Sequence, residues 1–240
     1  MKKGNVLITG ASRGIGRAIA QSFAAAGYDL SLCCINNITS LEKYAEELSS
    51  TYKISASAFK CDVSDSSEVV NLFSRITPPD IVVNNAGISY VGLITDMLDE
   101  DWTKTINTNL SSVFYICRAA VPNMIKNHSG RIINISSVWG QVGASMEVAY
   151  SASKGGVDSF TKALAKELAP SGISVNAIAC GLIDTEMNKH LSEEELADVI
   201  SEIPADRIGK PAEIASVALE LAIAPDYLTG QIIKVDGGWV

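Results

Sequence analysis

Short apolar runs alternate with helical patterns along nearly the whole chain, and that alternation leaves few folds open. Residues 6–8, 30–35, 54–60, 81–83, 132–135, 173–178 and 232–235 read as strands. Residues 17–26, 41–50, 66–75, 100–126, 150–169 and 213–222 read as helices between them. A strand that returns to its own sheet through a helix crosses over right-handedly, and repetition of that unit builds a doubly wound parallel sheet. The expectation is therefore an α/β fold of one domain over residues 1–240, with a seven-stranded parallel sheet and helices on both faces. Sheets of this kind bind ligands beyond the carboxyl ends of their strands.

Composition agrees. Hydrophobic residues make up 47% of the chain and the mean hydropathy is +0.20, as suits strands buried on both faces. The formal net charge of −8 argues against nucleic acid or an anionic membrane surface as a general partner. No repeat, low-complexity tract or Pro/Gly/Ser-rich linker divides the 240 residues. The amino-terminal lysines are followed by an apolar run of only residues 6–8, too short for a signal peptide. No stretch approaches the roughly 20 apolar residues of a membrane span. Cys33, Cys34, Cys61, Cys117 and Cys180 lack metal or redox spacing, so reduced thiols and a cytoplasmic location are expected. His128 and His190, the only histidines, read as surface residues; neither a metal site nor a His-based triad is expected.

Chemistry-bearing residues gather at the strand ends. Gly10, Ser12, Arg13, Gly14, Ile15 and Gly16 follow the first strand and open a helix, where glycines allow a diphosphate to approach the helix N-terminus. Their spacing is GxxxGxG rather than GxGxxG. The second strand ends in Cys34-Ile35-Asn36-Asn37, without the acid that usually holds the ribose 2′-hydroxyl of NAD. Arg13 could pair with a 2′-phosphate, so NADPH is favoured over NAD; alternatively Arg13 is a solvent-facing turn charge. Asp62 and Val63 close the third strand; Asp62 could accept from an adenine amino group or serve as a cap or turn residue. Cys34 and Cys61, nearby, read as inert small hydrophobes. Tyr150 and Lys154 stand four apart on a helix, hence on one face, where an ammonium would favour the phenolate and equip the phenol as a proton donor.

With Asn84-Asn85-Ala86-Gly87 after the fourth strand, these motifs make the chain resemble the short-chain dehydrogenase/reductase family from the first strand to Asp236-Gly237-Gly238. The resemblance implies a nicotinamide-dependent oxidoreductase with four catalytic residues. Tyr150 would be the general acid and Lys154 would hold the nicotinamide ribose. Ser137 would bind the substrate carbonyl, and Asn109 would hold a relay water. It further implies that Asn85, Ala86 and Gly87 line the adenine ribose and that Ile183 and Thr185 contact the carboxamide. The family usually has proline where this chain has Cys180, and a cysteine there restores an N–H and would loosen the loop over the nicotinamide. A homotetramer paired through the two long helices, with the last strand at a second interface, is also implied.

Two subfamily resemblances bear on the substrate. Arg207-Ile208-Gly209-Lys210-Pro211 and Leu228-Thr229-Gly230-Gln231 are similar to bacterial 3-oxoacyl-[acyl-carrier-protein] reductases of fatty acid biosynthesis. Where those enzymes present arginines to the acidic carrier, this chain has His128 and Ser171, with Lys126, Arg131 and Lys166 nearby. The expected substrate lid, about residues 185–205, is acidic, either as a merely solvated helix or as a rim that favours a cationic substrate. The segment from Trp139 through Glu147 resembles reductases of the 5-aminopentanone group on a lysine of elongation factor P, with Glu147 the candidate partner of the amine. Trp139, Gln141, Glu147 and Met187 are the expected substrate contacts. A non-catalytic, cofactor-sensing protein of the same fold is the alternative of another class.

Overall fold

In the computed structural model, which describes residues 3–189 and 191–240, one parallel sheet runs through the molecule in the order β3-β2-β1-β4-β5-β6-β7. Its strands are β1 (Asn5–Thr9), β2 (Asp29–Cys34), β3 (Ala56–Lys60), β4 (Ile81–Asn84), β5 (Gly130–Ser137), β6 (Ile173–Cys180) and β7 (Ile232–Val235). The helices are α1 (Gly14–Ala25), α2 (Ile38–Tyr52), α3 (Ser66–Arg75), α4 (Asp99–Ile106), α5 (Ser112–Asn127), α6 (Trp139–Val142), α7 (Val148–Leu168), α8 (Glu193–Glu202) and α9 (Pro211–Ile223). The expected fold is thus the one observed. The strand order reverses between β1 and β4, which opens a crevice at their carboxyl ends.

Two apolar layers hold the sheet. On one face Ile8, Ile19, Phe23, Leu32 and Leu41 pack with α1, α2 and α9; on the other Leu7, Leu72, Ile116, Met124 and Ile132 pack with α3, α5 and α7. Alternate residues of β1 serve opposite layers, as the strand's period of two requires, and all five are buried. Among the described residues no helix is long and apolar enough to cross a membrane.

The helix expected over residues 100–126 differs in one respect. A π-helical turn, Asn107–Ser111, separates α4 from α5 and turns Asn109 inward to 1% exposure. Cys180 also departs from expectation. It is the last residue of β6, paired in register with Ser137 and Val235 on its two sides, and its carbonyl accepts from Val138 N at 3.0 Å. The ladder holds Cys180 itself, at the point where the loop expected to be loosened begins. All five cysteines are free and buried. His128 is exposed at the end of α5, as expected; the expectation for His190 lies outside the described residues.

Candidate active site

A cleft of about 620 Å³ lies beyond the carboxyl ends of the strands. The turn after β1 forms one end. Gly10 takes φ +65°, and a Cβ on Gly16 would stand 2.4 Å from the Gly10 carbonyl oxygen. Gly16 therefore packs the turn together, while Gly10, Ser12, Arg13, Gly14 and Ile15 line the cleft. Helix α1 starts here with no side-chain cap bond and no acid in its first turn, so its free N–H groups suit an anion. Thr9 Oγ1 accepts from the N–H groups of Asn85 and Ala86, each at 3.0 Å, and Asn85 Nδ2 donates to Thr9 O at 2.9 Å. These bonds fix the β4 end against the turn. The residues present fit a dinucleotide.

Beside the turn, Cys34, Ile35, Asn36, Asn37, Cys61, Asp62 and Val63 form the adenine-sized end, with no acid at the end of β2. Asp62 Oδ1 accepts from the backbone N–H and hydroxyl of Ser64 at 2.9 and 2.6 Å. It is thus a turn residue that also lines the cleft. Arg13 is exposed in the turn, and its Nη1 pairs with Glu186 Oε2 at 2.6 Å.

At the other end Ser137, Tyr150, Lys154 and Cys180 line the cleft together. The Lys154 Nζ lies 5.6 Å from the Tyr150 ring centre and donates to Ile135 O at 2.8 Å. Side-by-side placement is as expected, but its electrostatic consequence is not. Burial raises the Tyr150 phenol above its ordinary value, Cys180 and Glu147 raise it further, and a hydrogen bond with Ser137 opposes them. Burial lowers Lys154 to about 8, while Cys180 and Asp158 push the other way. Burial is the largest of these effects on the phenol, which is therefore protonated at neutral pH.

Asn109 Nδ2 donates to Ile88 O at 2.8 Å and Ser153 Oγ at 3.0 Å, and its Oδ1 accepts from Ile88 N at 2.8 Å. A Cβ on Gly87 would come within 3.4 Å of Asn109 Oδ1 and 3.6 Å of Lys154 Nζ, so both groups face the space that this glycine leaves. Ile183, Thr185, Trp139, Glu147 and Met187 line the cleft. Gln141 does not: it is exposed, and its side chain hydrogen-bonds Asp158 behind the cleft.

Other participants escaped the sequence reading. Ser89 Oγ donates to Glu147 Oε2 at 2.6 Å and fixes that carboxylate in the cleft. Asp158 is 5% exposed and accepts from Ser136 Oγ at 2.6 Å. Burial raises its carboxyl pKa, opposed by Ser136, Lys162, Lys154 and Gln141. Its place four residues beyond Lys154 was a legible signal. Trp239 packs edge-on against Trp139 with ring centres 4.7 Å apart.

Comparison with known proteins places this cleft. The profile of the short chain dehydrogenase family matches residues 4–196. An uncharacterized oxidoreductase of Bacillus subtilis, YmfI, is 43% identical over 235 residues, covering 97% of each chain. The 3-oxoacyl-[acyl-carrier-protein] reductase FabG of Escherichia coli is 40% identical, covering 97% of this chain and 95% of that one. A crystal structure of a 3-oxoacyl-[acyl-carrier protein] reductase from Brucella melitensis superposes with a TM-score of 0.94 at 38% identity, over 100% of this chain and 92% of that one. A further one from Brucella melitensis, with bound NAD, gives 0.92 at 38% identity with the same coverage. Fold, cleft and sequence similarity over nearly the full length lead to one conclusion: the chain belongs to the short-chain dehydrogenase family and is an oxidoreductase of that family.

Proposed function

We propose that this protein reduces a carbonyl to an alcohol with NADPH, as a 3-oxoacyl-[acyl-carrier-protein] reductase does, with Tyr150 as the proton donor. The observation that carries this reading is the grouping of Ser137, Tyr150 and Lys154 on one wall of the cleft, opposite the anion-ready turn at Gly10–Gly16. When bound, the nicotinamide supplies a hydride to the carbonyl carbon. Tyr150 holds a proton at its hydroxyl at neutral pH and gives it to the carbonyl oxygen, and Ser137, hydrogen-bonded to that phenol, donates to the same oxygen. Lys154, with a pKa near 8, is still charged at neutral pH; it holds ribose hydroxyls and stabilises the phenolate left behind. Asn109 and Lys154 both face the gap at Gly87, which is where a relay water would sit. The presence of Asn109, Ser137, Tyr150 and Lys154 together supports an enzyme over a cofactor-sensing protein.

The acid-free end of β2 and Arg13 in the turn favour NADPH. Similarity at about 40% identity supports a 3-oxoacyl substrate, and with it acyl carrier protein as the partner that presents the substrate. A homotetramer in the cytoplasm suits the apolar side chains exposed on α4 and α5 and the free cysteines.

One observation favours a second reading. Glu147 lines the cleft next to Tyr150, held by Ser89, and would pair with a cationic amine. Arg131 is tied to Asp226 and the carbonyl of Ala224 rather than offered to an acidic carrier. Both features fit the 5-aminopentanone group on elongation factor P.

A substrate panel with NADPH tests both readings, setting an acetoacetyl thioester against aminopentanone-modified elongation factor P. Tyr150→Phe is expected to slow turnover of the preferred substrate by about 10²–10⁴-fold while NADPH still binds. Wild-type rates in that variant would remove Tyr150 from the chemistry. Preference for the modified elongation factor, lost in Glu147→Gln, would move the substrate to the second reading.

A further inference from the structure

The ion pair between Arg13 and Glu186 joins residues 173 positions apart in sequence, and it spans the cofactor cleft. Arg13 lies in the turn after β1, which is tied to the end of β2 by Ala11 N donating to Cys33 O at 3.1 Å. Glu186 lies in the segment after β6, at the start of the short 3₁₀ turn Glu186–Asn188. Both residues line the cleft. The two walls also approach at Gly14, where a Cβ would stand 3.4 Å from Thr185 Cγ2. Among the described residues that line the cleft, the cations are Arg13, Lys104 and Lys154. Lys154 is buried at the far end, on the carbonyl of Ile135, and Lys104 belongs to α4. Arg13 is the cation of the turn beside the acid-free end of β2.

We infer that Glu186 is a built-in competitor for the cofactor's 2′-phosphate: it occupies Arg13 in the free protein, latching the segment after β6 to the glycine-rich turn, and a 2′-phosphate displaces it. This rests on Arg13 being the 2′-phosphate partner. A guanidinium binds one oxyanion fork well, so two anions contest it. NADPH can therefore open the latch by exchange, whereas NADH, which shares the diphosphate but lacks the 2′-phosphate, leaves Glu186 in place. Glu186 thus lowers NADPH affinity below what Arg13 alone would give, and links cofactor choice to release of the segment that leads into α8. Both side chains are more than a third exposed, 65% for Arg13 and 50% for Glu186, so the competition is modest and screened by salt.

Fluorescence titration of NADPH and NADH at low salt tests the inference in four forms of the full chain: wild type, Glu186→Gln, Arg13→Ala and the double variant. Glu186→Gln is expected to tighten NADPH by about two- to fivefold and leave NADH unchanged. In the Arg13→Ala background the same change should do nothing, because the competition needs the guanidinium. Equal shifts for both cofactors, or no shift, would overturn the latch. A full gain in the double variant would also overturn it, since Glu186 would then repel the phosphate directly. Should Arg13→Ala leave the NADPH-to-NADH ratio untouched, the assignment of Arg13 itself fails, an outcome distinct from those three. Circular dichroism of each variant confirms the fold.

Discussion

Tyr150 and Lys154 show how far a residue's environment can reverse what its spacing suggests. Four positions apart on α7, they face one another as the helical repeat requires. Spacing also suggests an acidified phenol, yet burial moves both groups towards their neutral forms. The lysine carries a consequence for stability. Its pKa falls from 10.5 to about 8 on folding, so between those values the unfolded chain binds a proton that the folded chain does not. Raising pH through that window therefore stabilises the fold, and below about pH 8 the contribution is constant. Relative to Lys154→Met, the wild type is expected to gain roughly 1 kcal/mol per pH unit above pH 8. Urea midpoints of both proteins at several pH values would show it, and a gap that does not change with pH would contradict the lowered pKa.

At the scale of elements, the π turn between α4 and α5 matters most. Periodicity reads residues 100–126 as one helix, because one extra residue per turn over Asn107–Ser111 hardly disturbs an apolar stripe. The extra residue turns Asn109 inward, where it clamps both backbone groups of Ile88 in the segment after β4. Asn109→Ala would strand the Ile88 N–H and carbonyl in a half-buried place. The expected cost is about 1–3 kcal/mol of stability, with slower turnover and a more exchangeable Ile88 amide. Hydrogen exchange that left Ile88 as protected as in wild type would show that the clamp is dispensable. The turn at Gly10–Gly16, by contrast, was legible as an element, because strand, glycines and helix start are contiguous in the chain.

For the whole molecule, the open question is what covers Trp102 on α4 and Phe114 and Ile125 on α5, which are 42%, 44% and 41% exposed. Large apolar side chains exposed along one continuous helical stretch suit the association surface of the proposed tetramer. With the proposed tetramer, light scattering is expected to give four times the 25.4 kDa chain mass, and Phe114→Asp is expected to lower it. A monomeric wild type would refute the assembly. Strand number, strand direction and the position of the cleft were readable because they follow from local signals: apolar period, turn residues and the right-handed crossover. The side-by-side placement of Tyr150 and Lys154 was readable from helical spacing, whereas the roles expected of Ser137 and Asn109 rested on the family resemblance. Tertiary structure alone decided the rest. It paired Arg13 with Glu186, fixed Glu147 on Ser89 across 58 residues, and turned Gln141 towards Asp158 instead of the cleft. It also set the degree of burial that raises the Tyr150 phenol. Sequence encodes what neighbours in the chain do to one another; desolvation and long-range ion pairs depend on which distant segments the fold brings together.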